Sequence, residues 1–231
     1  MPTRNRLLFY LPEAQRRALV AHAQEIAFDS GQELLAGDTA TPHVLFPISG
    51  SCSLLIRSRS GDVIETGSVG SEGMLGVAVV LGGTFEVDAF AGQIAGRALK
   101  VRTSAFKECL RRYPELDVLA KAYVAYSWRL TSQTVLCNSM HSVMQRTCRW
   151  LLTTYDRVGR TAVAFTHQQL GQMAAAQRQT VTVIAGELRA AGAIEYQRGL
   201  LRISSPDALR ARACECYGVT TAVYRRTCRP R

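Results

Sequence analysis

The sequence predicts an α+β chain in three parts: an N-terminal β-sandwich or jelly roll, a long helix, and a basic C-terminal helix pair backed by a hairpin. Three observations predict it. Between Ile26 and Arg102, short apolar runs alternate with glycine-bearing breaks, the texture of an all-β sandwich or roll. From about Glu115 to Asn138 a helical pattern runs with no Gly or Pro inside it. The charge is divided unevenly. Residues 1–141 hold 14 Lys+Arg and 13 Asp+Glu, a net of +1; residues 142–231 hold 14 and 5, a net of +9 out of +10. A neutral part joined to a basic part is the footprint of a sensor joined to a polyanion binder.

Taken in order, residues 6–24 read as helical, with Pro12 suited to a first turn and Leu11, Ala14, Ala18, Leu19 and His22 at roughly helical spacing. The β texture follows, with short runs at Glu33–Ala36, Val44–Ile48, Cys52–Arg57, Val63–Thr66, Val87–Phe90 and Arg97–Val101. Ser60-Gly61-Asp62 reads as a hairpin tip. Periodicity leaves Met74–Leu81 open between a short helix and an apolar strand. Thr103 or Ser104 is placed to cap a helix through Arg111, which Pro114 ends.

The long helix carries Leu116, Leu119, Tyr123, Tyr126, Leu130, Gln133 or Thr134, and Cys137 at alternating spacings of three and four. That is the spacing of a two-stranded seam, and it predicts a dimer through this face; one face of an ordinary buried helix is the other reading. Asn138–Ser142 reads as a hinge, and Ser142 with Gln145 as a capping box opening a helix to about Tyr155.

The C-terminal segment is more explicit. Val163–Phe165 reads as a short strand. Thr166 and Gln169 form a second capping box, Ala174–Ala176 link to a second helix, and Val181, Ile184, Ala185 and Leu188 make its buried stripe. The opposite face carries Gln179, Val183, Gly186 and Ala190, with Thr182 beside them and Arg178 and Arg189 flanking. Gly192 sits where a helix C-terminal cap belongs, and Ile194–Tyr196 and Leu200–Ile203 read as strands joined around Arg198-Gly199. A helix face with arginine in its first turn, an amide and a methyl-bearing residue fits a DNA major groove. Ser205-Pro206 reads as a further helix start. That helix is expected to end at Gly218, and Tyr224–Arg231 to be a solvated basic tail.

Other classes find little in the residues. The longest apolar run, Met74–Leu81, is far short of the ~20 residues of a membrane span, and no signal peptide is read, so a cytoplasmic protein is expected. The seven cysteines are scattered and odd in number, which argues for reduced thiols. Cys214-x-Cys216 with Cys228 is a candidate metal or redox group, but its spacing is not a usual zinc pattern, and no metal site is assigned. His22, His43, His141 and His167 lack motif-spaced partners, and the glycines of 67–73 lack the lysine of a phosphate loop, so no catalytic residue is assigned.

AQRQTVTVIAGELRAAGAIEYQRGLLRI and SMHSVMQRTCRWLL resemble, respectively, the helix-turn-helix with its wing and the helix after the hinge of the Crp/Fnr superfamily of bacterial transcription regulators. The resemblance spans nearly the whole chain. It implies a cyclic-nucleotide-binding-type β-roll over residues 1–110, a dimerisation helix and hinge over 111–141, and a winged helix-turn-helix over 142–231. It further implies a homodimer on palindromic double-stranded DNA, with RNA polymerase as a protein partner. In this frame the DNA-contacting residues are Thr166, Gln168, Arg178, Gln179, Thr180, Thr182, Val183 and Arg198. Familiar members open the recognition helix with Arg-Glu and carry a second Arg four residues after the Glu. Here Arg178 matches, Gln179 replaces the Glu and Val183 the second Arg, so a different operator is expected.

The sensing half departs further. Met74-Leu75 stand where the family's nucleotide-binding Gly-Glu is expected, and no arginine lies between Arg59 and Arg97 to hold a cyclic phosphate. Cyclic AMP is therefore not expected as effector, and Glu72 is read as a surface turn carboxylate rather than a ribose ligand. No cysteine precedes Cys52 to hold an N-terminal iron–sulfur cluster, and no histidine is placed as a haem ligand. The effector stays open. The rival to a DNA regulator is a ligand- or RNA-binding module without a specific operator.

Overall fold

The computed structural model describes residues 5–37, 40–83, 89–158, 162–197 and 200–228. No described helix is long and apolar enough to cross a membrane. The chain divides into two compact units, one of residues 1–56, 67–129 and 223–231, the other of 57–66 and 130–222.

The N-terminal helical stretch is two short helices, α1 (Arg6–Phe9) and α2 (Glu13–Val20), rather than one. Asn5 caps α1 with its side chain, and Pro12 stands at the N-cap of α2, where a residue without an N–H starts a helix at no loss. The expected helix stops at Val20 instead of residue 24, and Ala23 and Gln24 already belong to strand β1 (Ala23–Phe28).

A five-stranded sheet follows: β1, β2 (Glu33–Leu35), β3 (His43–Arg57), β4 (Val63–Val69) and β5 (Ala89–Arg102), ordered β1-β5-β3-β4 with β2 also on β5. The expected pairs of short strands are merged. β3 runs through Gly50, and β5 through Gly92 and Gly96, with register shifts where β3 meets β5 between Pro47 and Cys52. These glycines admit backbone rather than turning it. A Cβ at Gly92 or Gly96 would stand 2.1 Å from the carbonyl oxygen of Asp29 or Ser49. Phe28, Leu35, Leu45, Cys52, Val69, Leu75, Phe90 and Ala98 fill the core of the roll. The undecided run 74–81 splits: Met74 and Leu75 are core residues, and Val77–Leu81 forms a 3-10 helix.

Helix α3 (Thr103–Arg112) is not capped by Thr103 or Ser104. Its N-cap is Arg102, and the Thr103 hydroxyl donates instead to the Thr41 carbonyl at 2.5 Å. Helix α4 (Pro114–Met140) is longer than expected by a residue or two at each end. Its predicted seam faces inward. Leu116, Leu119, Tyr123 and Tyr126 are buried in the first unit, and Gln133, Thr134 and Cys137 in the second. Tyr126 is covered by Tyr224, ring to ring at 5.1 Å, whose hydroxyl donates to the Glu72 carbonyl at 2.9 Å. The face left exposed carries Val118, Lys121, Ala125, Trp128, Ser132, Val135 and Ser139, again at threes and fours.

The second unit holds α5 (Val143–Val158), β6 (Ala162–Ala164), α6 (His167–Ala174), α7 (Arg178–Ala190), β7 (Ile194–Gln197), β8 (Leu200–Ile203) and α8 (Pro206–Arg210). The three strands form a sheet ordered β6-β8-β7. The last helix, α9 (Cys216–Cys228), corrects the expected ending: Gly218 lies inside it, and Tyr224 and Cys228 are packed rather than solvated. Burial of the Tyr224 ring and the Cys228 thiol explains the difference, since an apolar stem on a tail finds more stability packed than in water.

Candidate nucleic-acid interface

The site begins with a helix start. The Thr166 hydroxyl accepts from the Gln169 N–H at 3.1 Å, and the Gln169 amide oxygen accepts from the Thr166 N–H at 2.9 Å. This reciprocal box fixes the first turn of α6. The turn after α6 is tight. Ala175 adopts φ 47, and the Ala176 N–H returns to the Gly171 carbonyl at 2.9 Å. A Cβ at Gly171 would stand 2.7 Å from the Ala176 carbonyl oxygen, so only glycine allows this approach.

One residue that sequence reasoning passed over holds this turn. Arg146 of α5 is buried, and its guanidinium donates to the carbonyls of Ala174 at 2.8 Å, Ala175 at 3.3 Å, Asn138 at 3.0 Å and His141 at 2.9 Å. A cation at the C-terminal end of α6 matches both the orphan carbonyls and the negative end of the helix. The clue in the sequence was an arginine on the same helix face as buried apolar residues.

Helix α7 buries Val181, Ile184, Ala185 and Leu188 and exposes Arg178, Gln179, Thr180, Thr182 and Val183. Its N-cap, Gln177, makes no side-chain cap bond, so the positive helix end opens outward beside Arg178. Val183 is 62% exposed, an apolar side chain in water on a helix that had buried positions for it. Thr182 is already engaged: its hydroxyl donates to the Arg178 carbonyl at 2.9 Å and lies 2.9 Å from His167 Nδ1. The His167 ring in turn sits 4.9 Å from that of Tyr196, whose hydroxyl donates to the Phe165 carbonyl. Burial raises the Tyr196 phenol above its ordinary pKa and keeps it a donor. His167, Thr182 and Tyr196 thus tie α6, α7 and the hairpin together.

Among the other expected contacts, Thr166 and Gln168 are exposed at the start of α6, and Arg198 lies outside the described residues, as does the turn it was read into. In the first unit, Met74 and Leu75 are buried, and Leu75 bridges to Leu45 by backbone hydrogen bonds of 3.2 and 2.8 Å. Glu72 is not a surface carboxylate. It is buried, accepts from the Gly70 N–H at 3.1 Å and lies 3.5 Å from Arg6. Cys228 belongs to the first unit, and in the second unit Cys214 and Cys216 meet Cys137 and His141.

Residues 145–212 match the Crp-like helix-turn-helix domain. No curated protein matches the chain in sequence. Among solved structures, FixK2 from Bradyrhizobium japonicum superposes with a TM-score of 0.72 at 15% identity, covering 83% of this chain and 98% of that one. The c-di-GMP responsive global regulator CLP from Xanthomonas campestris gives 0.69 at 11% identity, covering 84% and 100%. TTHB099, a CRP-family transcriptional regulator from Thermus thermophilus, gives 0.61 at 14% identity, covering 81% and 96%. The chain thus shares the fold of these regulators along most of its length, and its residues 145–212 are similar in sequence to the Crp-like helix-turn-helix domain.

Proposed function

We propose that this chain is a non-enzymatic, sequence-specific reader of duplex DNA that regulates transcription as a homodimer on palindromic sites. One observation carries it: the exposed face of α7 presents Arg178, Gln179 and Val183 from a helix whose other face is buried; Arg146 holds the end of α6 before it, and the Thr182–His167 contact ties it to α6. Arg178 suits the guanine edge, Gln179 the adenine edge and Val183 the thymine methyl. Thr166, Gln168, Thr180 and the wing's Arg198 serve the phosphates, and Thr182 orients rather than reads.

The division of labour follows the charge: 1–110 as sensor for a small effector still to be identified, 111–141 as dimer helix, 142–231 as DNA reader, working in the reducing cytoplasm with RNA polymerase as protein partner. The dimer forms through the exposed stripe of α4, where Val118, Ala125, Trp128 and Val135 recur at heptad spacing.

Duplex DNA and duplex RNA of equal length separate this from a module that binds RNA or any polyanion. A-form RNA has a major groove too deep and narrow for a helix, whereas counterion release acts on both. Binding at one fixed salt concentration is expected to favour DNA by about tenfold or more, since a groove-seated helix adds over 1.4 kcal/mol of base contacts. Equal affinity for the two would contradict the proposal.

A further inference from the structure

The DNA-reading unit contains a cluster that its helix-turn-helix does not use. Cys137 and His141 are four residues apart near the end of α4, and so share one face of it. Cys214 and Cys216 lie between α8 and α9, at the start of the latter. All four belong to the unit of residues 130–222. Their ligand atoms lie within 4.8 Å of one another. The Sγ atoms of Cys137 and Cys214 are 3.5 Å apart, and Cys216 Sγ is 3.6 Å from His141 Nδ1. We propose that Cys137, His141, Cys214 and Cys216 bind one zinc ion as a Cys3His centre that clamps the end of α4 to the segment joining α8 and α9.

The geometry fits a single ion. Tetrahedral zinc with bonds of about 2.3 Å to sulfur and about 2.0 Å to nitrogen sets ligand atoms roughly 3.5–3.8 Å apart. A multi-iron cluster distributes its ligands over separate irons and needs wider spacing. Three thiolates and an imidazole are also the soft donor set that holds zinc in structural sites.

The surroundings are those of a built site. Three of the four residues are almost wholly buried. His141 turns Nδ1 to the cysteines and Nε2 to the Glu215 carboxylate at 3.2 Å, the carboxylate–histidine arrangement that fixes tautomer and ring orientation in metal centres. The Gln133 amide donates to Cys216 Sγ at 2.9 Å, as second-sphere donors do to metal-bound thiolates. Arg149 is buried, and its Nε and Nη2 find no hydrogen-bond partner among the described residues. Its guanidinium lies over the Trp150 ring, 4.6 Å from the centroid. A buried cation without a counter-charge is costly. Zinc(II) bound by three thiolates and a neutral imidazole carries a net charge of −1 and supplies that counter-charge. On binding, the three thiols release their protons to solvent.

The remaining thiols behave differently. Cys148 and Cys228 are not among the four, and burial pushes their pKa up to about 11 and about 12, so they stay protonated and inert.

The full chain, purified in the presence of reductant and without added chelator, is tested by elemental analysis and by cobalt(II) reconstitution. Close to one zinc per chain is expected, and cobalt should give the intense ligand-field bands of a tetrahedral, thiolate-bound ion. Mass-mapped alkylation needs no variant: chelation should expose Cys137, Cys214 and Cys216 to reagent while leaving Cys148 and Cys228 protected. Glu215→Gln, which alters no ligand, should weaken zinc retention roughly 10–100-fold at unchanged stoichiometry. Substoichiometric zinc with octahedral cobalt spectra, or a Cys137–Cys214 disulfide in the reduced-purified chain, would overturn the assignment. So would alkylation that chelation does not change.

Discussion

Arg178 stands in the first turn of α7 with its side chain in solvent, and its chemistry sets what the helix can read. A guanidinium can grip a guanine edge through two hydrogen bonds or rest on a phosphate as a point of charge. The two uses differ in what removal does. Arg178→Ala should lose about 1–3 kcal/mol of discrimination between a preferred site and random duplex. An equal loss on both, measured by titration at one salt concentration, would reduce it to a phosphate contact. Arg146 acts at the same scale but on stability. Its guanidinium serves four carbonyls around the α4–α5 junction and the end of α6. Arg146→Met keeps the apolar stem and strands those acceptors, at about 1–3 kcal/mol for each one left dry. Denaturant unfolding should register a loss above about 2 kcal/mol; a loss below about 0.5 kcal/mol would mean that water replaces it.

At the scale of elements, local chemistry was legible and face assignment was not. The capping boxes at Ser142–Gln145 and Thr166–Gln169 depend on residues three apart, and both form. The N-cap at Ser205 is equally local and equally present. Helix α4 is different because it is apolar on two sides. Leu116, Leu119, Tyr123 and Tyr126 repeat at threes and fours, and so do Val118, Ala125, Trp128 and Val135. Periodicity cannot choose between two stripes of one period, and it is the stripe of two leucines and two tyrosines that went to the core. Trp128, 77% exposed, is therefore where a second copy should pack. Trp128→Glu should convert a dimer to a monomer in sedimentation, with the circular dichroism of the helices retained; an unchanged mass would move the interface elsewhere. The metal cluster was illegible for another reason. Cys137 and Cys214 are 77 residues apart in sequence, and only tertiary packing, such as that of α8 on α5, brings such distant residues together. Cys228, nearer in sequence to Cys214, ended in the other unit.

At the scale of the whole molecule, the chain pairs a nearly neutral β-roll with a strongly basic helical part. The roll shares the fold of the regulators it superposes on, and Met74 and Leu75, read in the sequence as standing where a nucleotide-binding Gly-Glu is expected, are both in its core. Core residues cannot be exchanged for ligand contacts without reopening the roll, so a sensor built on it is expected to differ from a cyclic-AMP switch in chemistry while sharing its frame. The basic part matches the Crp-like helix-turn-helix domain, and in the proposed reading Gln179 and Val183 are the two positions where it departs from the familiar recognition helix. The fold is thus a shared one, and under the proposed function the specificities at both ends are expected to be this chain's own. Selection of bound sequences from a pool of random duplexes tests the central claim most directly. A dimer reading with two α7 helices should enrich one palindrome whose half-sites lie about one helical turn, 34–36 Å, apart. Featureless enrichment, with affinity set by length and salt alone, would contradict it.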